Sequence, residues 1–112
     1  MSLIVCERSV GPVTLLELSE RLTAEMIPEL RDTLEGLEVQ GRRFFLFDCS
    51  CVRVVDSQGI GWLVTNWVSL RKRGGSLKLL NPSPRLREVL EVLGLHKVIE
   101  SFDDVGDALR AF

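Results

Sequence analysis

Residues 44–47 read Phe-Phe-Leu-Phe, four large apolar side chains with no polar residue between them. In an extended chain, successive side chains point to opposite faces of a sheet. A strand apolar at every position must be covered on both faces, as strands are in a parallel sheet flanked by helices. We expect this strand over 43–48, ending at Asp48.

The flanking sequence supplies the rest of such a sheet. Residues 3–6 and 13–18 read as strands, and Gly11-Pro12 between them is a turn signal, so the chain should open with a hairpin. Ile27, Leu30, Leu34 and Leu37 recur at spacings of three and four, the mark of a helix with one apolar face. Glu29, Arg31, Asp32 and Glu35 form its wet face. Pro28 belongs in the first turn, which puts the start between Ala24 and Pro28, and Gly41 falls in the loop that follows. A second helix pattern starts at Ile60 and continues through Leu63, Val64, Trp67 and Leu70 to about Arg73, with Gly74-Gly75 ending it. Residues 77–80 are a strand.

Ser83 should cap a third helix that has Pro84 at its first position, a stripe of Leu86, Val89, Leu90 and Leu93, and Gly94 as its close. Val98-Ile99 reads as a short strand. Asp103 is the expected cap of a last helix carrying Val105, Ala108, Leu109 and Phe112. The order β-β-α-β-α-β-α-β-α implies an α/β fold: a mixed, mostly parallel sheet with an N-terminal hairpin, right-handed crossovers and four helices. No repeat or linker interrupts it, so one domain is expected over 1–112.

Composition narrows the function. Hydrophobic residues at 46% and charged residues at 27% are a globular balance rather than a disordered one. A net charge of −2, from 14 basic and 16 acidic residues, gives no footprint for nucleic acid or for a polybasic membrane patch. No apolar run is long enough for a membrane span, so no membrane insertion is expected. The start lacks a signal-peptide pattern, which points to a cytoplasmic protein. Three cysteines, Cys6, Cys49 and Cys51, make no disulfide framework. Cys49 and Cys51 could be half a metal site, but no further Cys or His lies near them in sequence. The plain reading is small residues closing a buried strand, with no metal and no cofactor.

The stretch Val55-Asp56-Ser57-Gln58-Gly59-Ile60-Gly61 carries the functional information. It places a serine where a buried strand region hands over to a helix N-terminus. Such an end gathers unpaired backbone N–H groups and the positive end of the helix dipole, so it suits negative charge. Ser57 reads either as a helix cap or as a place to carry a phosphate. Glycine in a helix interior costs about 1 kcal/mol relative to alanine, somewhat less at an end, so two of them in a first turn need a reason. Gly59 and Gly61 could let the helix pack close to a strand, or could leave a bare surface for docking. The spacing alone leaves both readings open.

Four chemistries compete for this turn. A dinucleotide site needs a longer glycine fingerprint, and a P-loop needs a Gly-Lys-Ser/Thr end, which is absent. A nucleophilic serine needs a base, and the sole histidine, His96, reads as the end of the third helix. A phosphorylation switch needs only the serine and a surface. No catalytic residue, and so no enzyme, is expected.

At these residues the chain resembles the STAS-domain anti-sigma-factor antagonists of bacteria. That family carries Asp-Ser-Ser/Thr/Ala-Gly-Leu/Ile-Gly at a strand–helix junction, matched here by Asp56, Ser57, Gly59, Ile60 and Gly61. The likeness extends to element order over nearly the whole chain, to Gly74-Gly75, and to the Asn81-Pro82-Ser83-Pro84 turn. It departs at Gln58, where the family has a small residue. It departs again at Glu20, Arg21, Leu22 and Thr23, where the family has Gly-Glu-Leu-Asp and only Leu22 agrees.

The resemblance implies a single STAS domain with helices in a β-α superhelical arrangement. It implies a protein-binding switch in transcription regulation. Unphosphorylated, such a protein binds an anti-sigma factor, often a serine kinase, and frees a sigma factor; phosphorylation of the serine ends binding, and a phosphatase resets it. Ser57 would be the phosphoacceptor. Asp56 would shape the turn, Gln58, Gly59 and Gly61 would present the docking surface, and the loop with Arg21 and Thr23 would also touch the partner. The protein would be a monomer or weak dimer. The alternative is a non-switching STAS scaffold subunit of a larger complex, such as a lipid transporter.

Two further positions bear on docking. Trp67 lies in the apolar stripe and reads as core. Trp62 lies two positions past Ile60, roughly 200° around the helix, and should face away from the stripe; it reads either as a partner contact beside the serine or as packed under the neighbouring loop. Arg71-Lys72-Arg73 reads as a solvated helix end.

Overall fold

A computed structural model of the chain describes residues 4–112. In chain order these form β1 (Ile4–Val10), β2 (Val13–Leu18), β3 (Arg21–Leu22), a 3-10 turn (Ala24–Met26), α1 (Ile27–Val39), β4 (Phe44–Asp48) and β5 (Val54–Val55). There follow α2 (Ser57–Lys72), β6 (Ser76–Leu80), α3 (Pro84–Val92), a 3-10 turn (Leu95–Lys97), β7 (Ser101–Phe102) and α4 (Val105–Arg110). Leu3, the expected first strand residue, lies outside the described residues.

The main sheet has the order β1-β2-β4-β6-β7. β1 and β2 pair antiparallel around Gly11, whose φ of +58° suits the tight turn. The pairs β2–β4, β4–β6 and β6–β7 are all parallel. The central strand is covered on both faces. Phe45 and Phe47 join Leu16, Leu18, Leu77 and Leu79 against α1, α2 and α3. Leu46 and Phe44 face the other way, with Val13, Leu15 and Leu80, against Ala108, Leu109 and Phe112 around α4. The sheet is thus mostly parallel, with an N-terminal hairpin and four helices, as expected from the element order.

Several boundaries differ from the sequence pattern. α2 begins at Ser57, not Ile60, because its first turn is polar and so invisible to apolar periodicity. The last strand lies at Ser101–Phe102, not at Val98-Ile99. Ile99 is buried, but from a loop, its N–H donating to Leu95 O at 2.9 Å. Asp104, not Asp103, caps α4, its carboxylate accepting from Asp107 N at 2.9 Å. Leu93 leaves the apolar stripe of α3 and is 56% exposed. Ser83 caps α3 as expected, accepting from Leu86 N at 3.2 Å. The short pair β3–β5 had no sequence signal, since two residues are too few for a period.

Candidate functional site

The Ser57 turn is held by backbone before any side chain acts. Between β4 and α2 the chain folds through 49–53, and Ser50 N donates to Asp48 Oδ1 at 3.1 Å. The segment then runs beside the loop that follows β2. Arg53 N and Val54 N both donate to Glu20 O, at 2.7 and 3.0 Å, and Asp56 N donates to Leu22 O at 3.3 Å. β3 and β5 pair in parallel, Arg21 with Val54 and Leu22 with Val55. The loop at 20–23 and the serine turn therefore form one unit.

Asp56 locks that unit. Its Oδ1 accepts from Gly59 N at 2.7 Å, which makes it the N-cap of α2. Its Oδ2 accepts from Ala24 N at 3.0 Å, at the start of the 3-10 turn. One carboxylate thus satisfies amides at the ends of two helical segments. Hydrogen bonds from Ala24 and Gly59, with a further one from Gln58, hold its carboxyl below the usual value of 3.8, against the opposing effect of desolvation. Asp56, and not Ser57, is the cap.

Ser57 is the first helical residue and is exposed, as is Gln58. The two glycines have opposite surroundings. A Cβ on Gly59 would lie 2.0 Å from Leu22 O and 2.6 Å from Leu22 C, so only glycine lets β3 cross here. A Cβ on Gly61 would meet nothing within 4 Å, and the residue is exposed. Ser57 and Gly61 are four apart and share a helix face. The two readings of the glycines are each correct for one of them. Gly59, expected at the docking surface, is buried beneath the Leu22 backbone and leaves that surface.

Other expected contacts divide likewise. Arg21 is exposed beside the turn. Thr23 is buried, 7% exposed, and its Oγ1 meets no hydrogen-bond partner among the described residues, so it offers no contact to a partner. Trp62 does not face away from the core. It is half-buried and stacks on Phe47, with ring centroids 6.2 Å apart and planes at 10°. Its position off the α2 stripe carries it toward α1 rather than into solvent, since it lines a cavity with Arg31, Leu34 and Glu38. Trp67 packs against the core, with the Arg71 guanidinium 4.8 Å above its ring.

One feature escaped the sequence. A groove of about 440 Å³ lies against Ser57 between α2 and α3, floored by Val55, Ile60, Val89 and Leu93 and edged by Arg85 and Glu88. Val92, an apolar residue off the α3 stripe, was the available signal. Cys49 is buried and Cys51 exposed, so the two do not close the strand together. Burial, with Asp48 close by, pushes the Cys49 thiol far above its usual range. Among the described residues no group of three or more His, Cys, Asp or Glu could hold a metal, and no helix is long and apolar enough to cross a membrane.

Comparison with known proteins agrees with the fold. Residues 7–108 match the family described as the STAS domain. The anti-sigma-B factor antagonist of Bacillus subtilis (strain 168) is 40% identical over 75 residues, which cover 65% of this chain and 66% of that protein, just under two thirds of its length. The anti-sigma-B factor antagonist of Listeria monocytogenes is 30% identical over 100 residues, covering 89% of this chain and 87% of its own. The anti-sigma factor antagonist SpoIIAA in its unphosphorylated form superposes with a TM-score of 0.76 at 22% identity, over 96% of each chain. The Bacillus cell fate determinant SpoIIAA in its phosphorylated form gives 0.74 at 21% identity, over 97% of this chain and 99% of its own. At those identities the likeness is one of fold.

Proposed function

The chain belongs to the STAS-domain family, and on that footing we propose that it is an anti-sigma-factor antagonist whose docking to an anti-sigma factor is switched by phosphorylation of Ser57. The observation that carries this reading is the pairing of an exposed serine with the bare helix face at Gly61. Relatives named anti-sigma-B factor antagonists support the partner class. The partner's kinase activity supplies the phosphate, and a separate phosphatase removes it.

The geometry explains why one phosphate would end docking. A phosphoserine carries roughly −1.5 to −2 charge and three acceptor oxygens. The α2 N-terminus tolerates that charge through its dipole, so the fold survives the modification. The amides of Gly59 and Ala24 are already taken by Asp56. Asp56 is ionised at neutral pH and repels a second anion. The phosphate is therefore held outward, over Gln58 and Gly61, where a partner would pack. Arg21 and the groove edged by Arg85 and Glu88 extend the same docking face.

Incubation with ATP and the cognate anti-sigma kinase should add one phosphate by intact mass, and Ser57→Ala should abolish the gain. In a pull-down, Ser57→Asp should lose the anti-sigma factor that the wild type retains. An unchanged mass with a demonstrably active, bound kinase would remove the switch while leaving antagonist binding standing. Failure of both forms to bind any anti-sigma factor would remove the antagonist reading itself.

A further inference from the structure

The parallel strands end near Ser57, and a different constellation lies where they begin. Arg42 and Arg43 precede β4, and Arg73 follows α2. With Glu38 and Leu70 they line an open cavity of about 420 Å³. Arg42 is anchored by its Nε, which donates to Thr14 Oγ1 at 2.8 Å, and Thr14 is fully buried in β2. Its Nη2 is buried with no hydrogen-bond partner among the described residues. A buried donor without an acceptor is unfavourable, and more so on a charged group. Arg73 is engaged with Glu38, Nη2 to Oε2 at 2.9 Å. Arg43 is exposed, and among the described residues no acid or acceptor meets its guanidinium.

Helix capping does not account for these side chains. α1 and α2 both end here, and their dipoles draw cations. Their last carbonyls, however, are capped by backbone: Leu37 O accepts from Gln40 N and Arg42 N, and Leu70 O from Arg73 N and Gly75 N. The Arg42 and Arg43 charges therefore line the cavity beside the two dipole ends and a Glu38 carboxylate that is already paired with Arg73.

We propose that this cavity is a binding site for a phosphate-class oxyanion, held by Arg42 and Arg43, with the Arg73–Glu38 pair as its wall. Guanidinium forks match the oxygens of such a group, and Arg42 and Arg43 both line the cavity. Two uncompensated charges suit a dianion. The volume lies at the lower end of the range for small-ligand sites, about 300–1,000 Å³. This site is separate from Ser57 and does not rest on the function proposed above.

The test is a nitrogen–proton NMR titration that resolves arginine Nε–Hε groups, run on the full chain with inorganic phosphate, with pyrophosphate, and with sodium chloride at matched ionic strength. Saturable shifts are expected at Arg42 Nε and at the Gly74 and Gly75 amides with the phosphates, and none with chloride. Arg43→Gln, at an exposed position, should keep the fold and weaken binding by about tenfold. Arg85→Gln, at the Ser57 pole, should leave it unchanged. Tighter binding of pyrophosphate assigns the site to a ligand with linked phosphates, and equal binding to a single phosphate group. Shifts that chloride reproduces, or that survive Arg43→Gln undiminished, would overturn the proposal.

Discussion

The first turn of α2 has an inner side and an outer side, built from neighbouring residues of one short motif. On the inner side, Asp56 ties Gly59 N to Ala24 N, and Gly59 admits the Leu22 backbone. On the outer side, Ser57, Gln58 and Gly61 are exposed, and a Cβ on Gly61 would meet nothing within 4 Å. The inner side is over-determined, and the outer side is blank. That division is what the proposed switch needs: the residue to be modified must be accessible, while the turn that presents it must not move when charge is added.

The two sides part most sharply at Gly59. Gly59→Ala forces a methyl into the Leu22 carbonyl, so β3 must shift; we expect a loss of about 3 kcal/mol in chemical denaturation. An unchanged midpoint would mean that β3 yields freely and that the inner side is not locked. Gly61→Arg probes the other side. It should weaken anti-sigma-factor binding by roughly a hundredfold in calorimetry, through a clash at a close contact, while the denaturation midpoint does not fall. Gly61→Ala should act on stability with the opposite sign to Gly59→Ala, gaining about 0.4–1 kcal/mol because the helix accepts a methyl into open space.

The smallest signature is a pH dependence at the cap. The Asp56 carboxyl is lowered in the folded chain, so its contribution to stability is complete above its ordinary value of 3.8. That contribution is lost as pH falls from there through the lowered value. Asp56→Asn should flatten this part of an acid-denaturation curve relative to wild type. An identical curve would show that the paired amides do not stabilise the ionised form.

Most of the fold was legible because periodicity reports burial directly. The unbroken Phe44-Phe45-Leu46-Phe47 run specified a strand covered on both faces, and Ser83-Pro84 marked the start of α3 through local capping alone. Legibility failed where burial and regular structure part company. Ile99 is apolar and buried, yet it serves the core from a loop. Adjacent Asp103 and Asp104 are equally able caps by residue type, and only the position of Asp107 N chooses between them. Trp62 read as outward-facing because a helical wheel knows the α2 stripe but not the place of Phe47 beneath it.

The sheet's central strand, the hairpin, the helix faces and the position of Ser57 at a helix start are all written locally in the chain. These follow from residue type and short-range spacing. Folding is what makes Gly59 a packing position and Gly61 a surface one, buries Thr23, and brings Arg42, Arg43 and Arg73 to one cavity. The physical reason is the same in each case. Contact between segments far apart in the chain depends on where the sheet carries their backbones, and no local pattern encodes that distance.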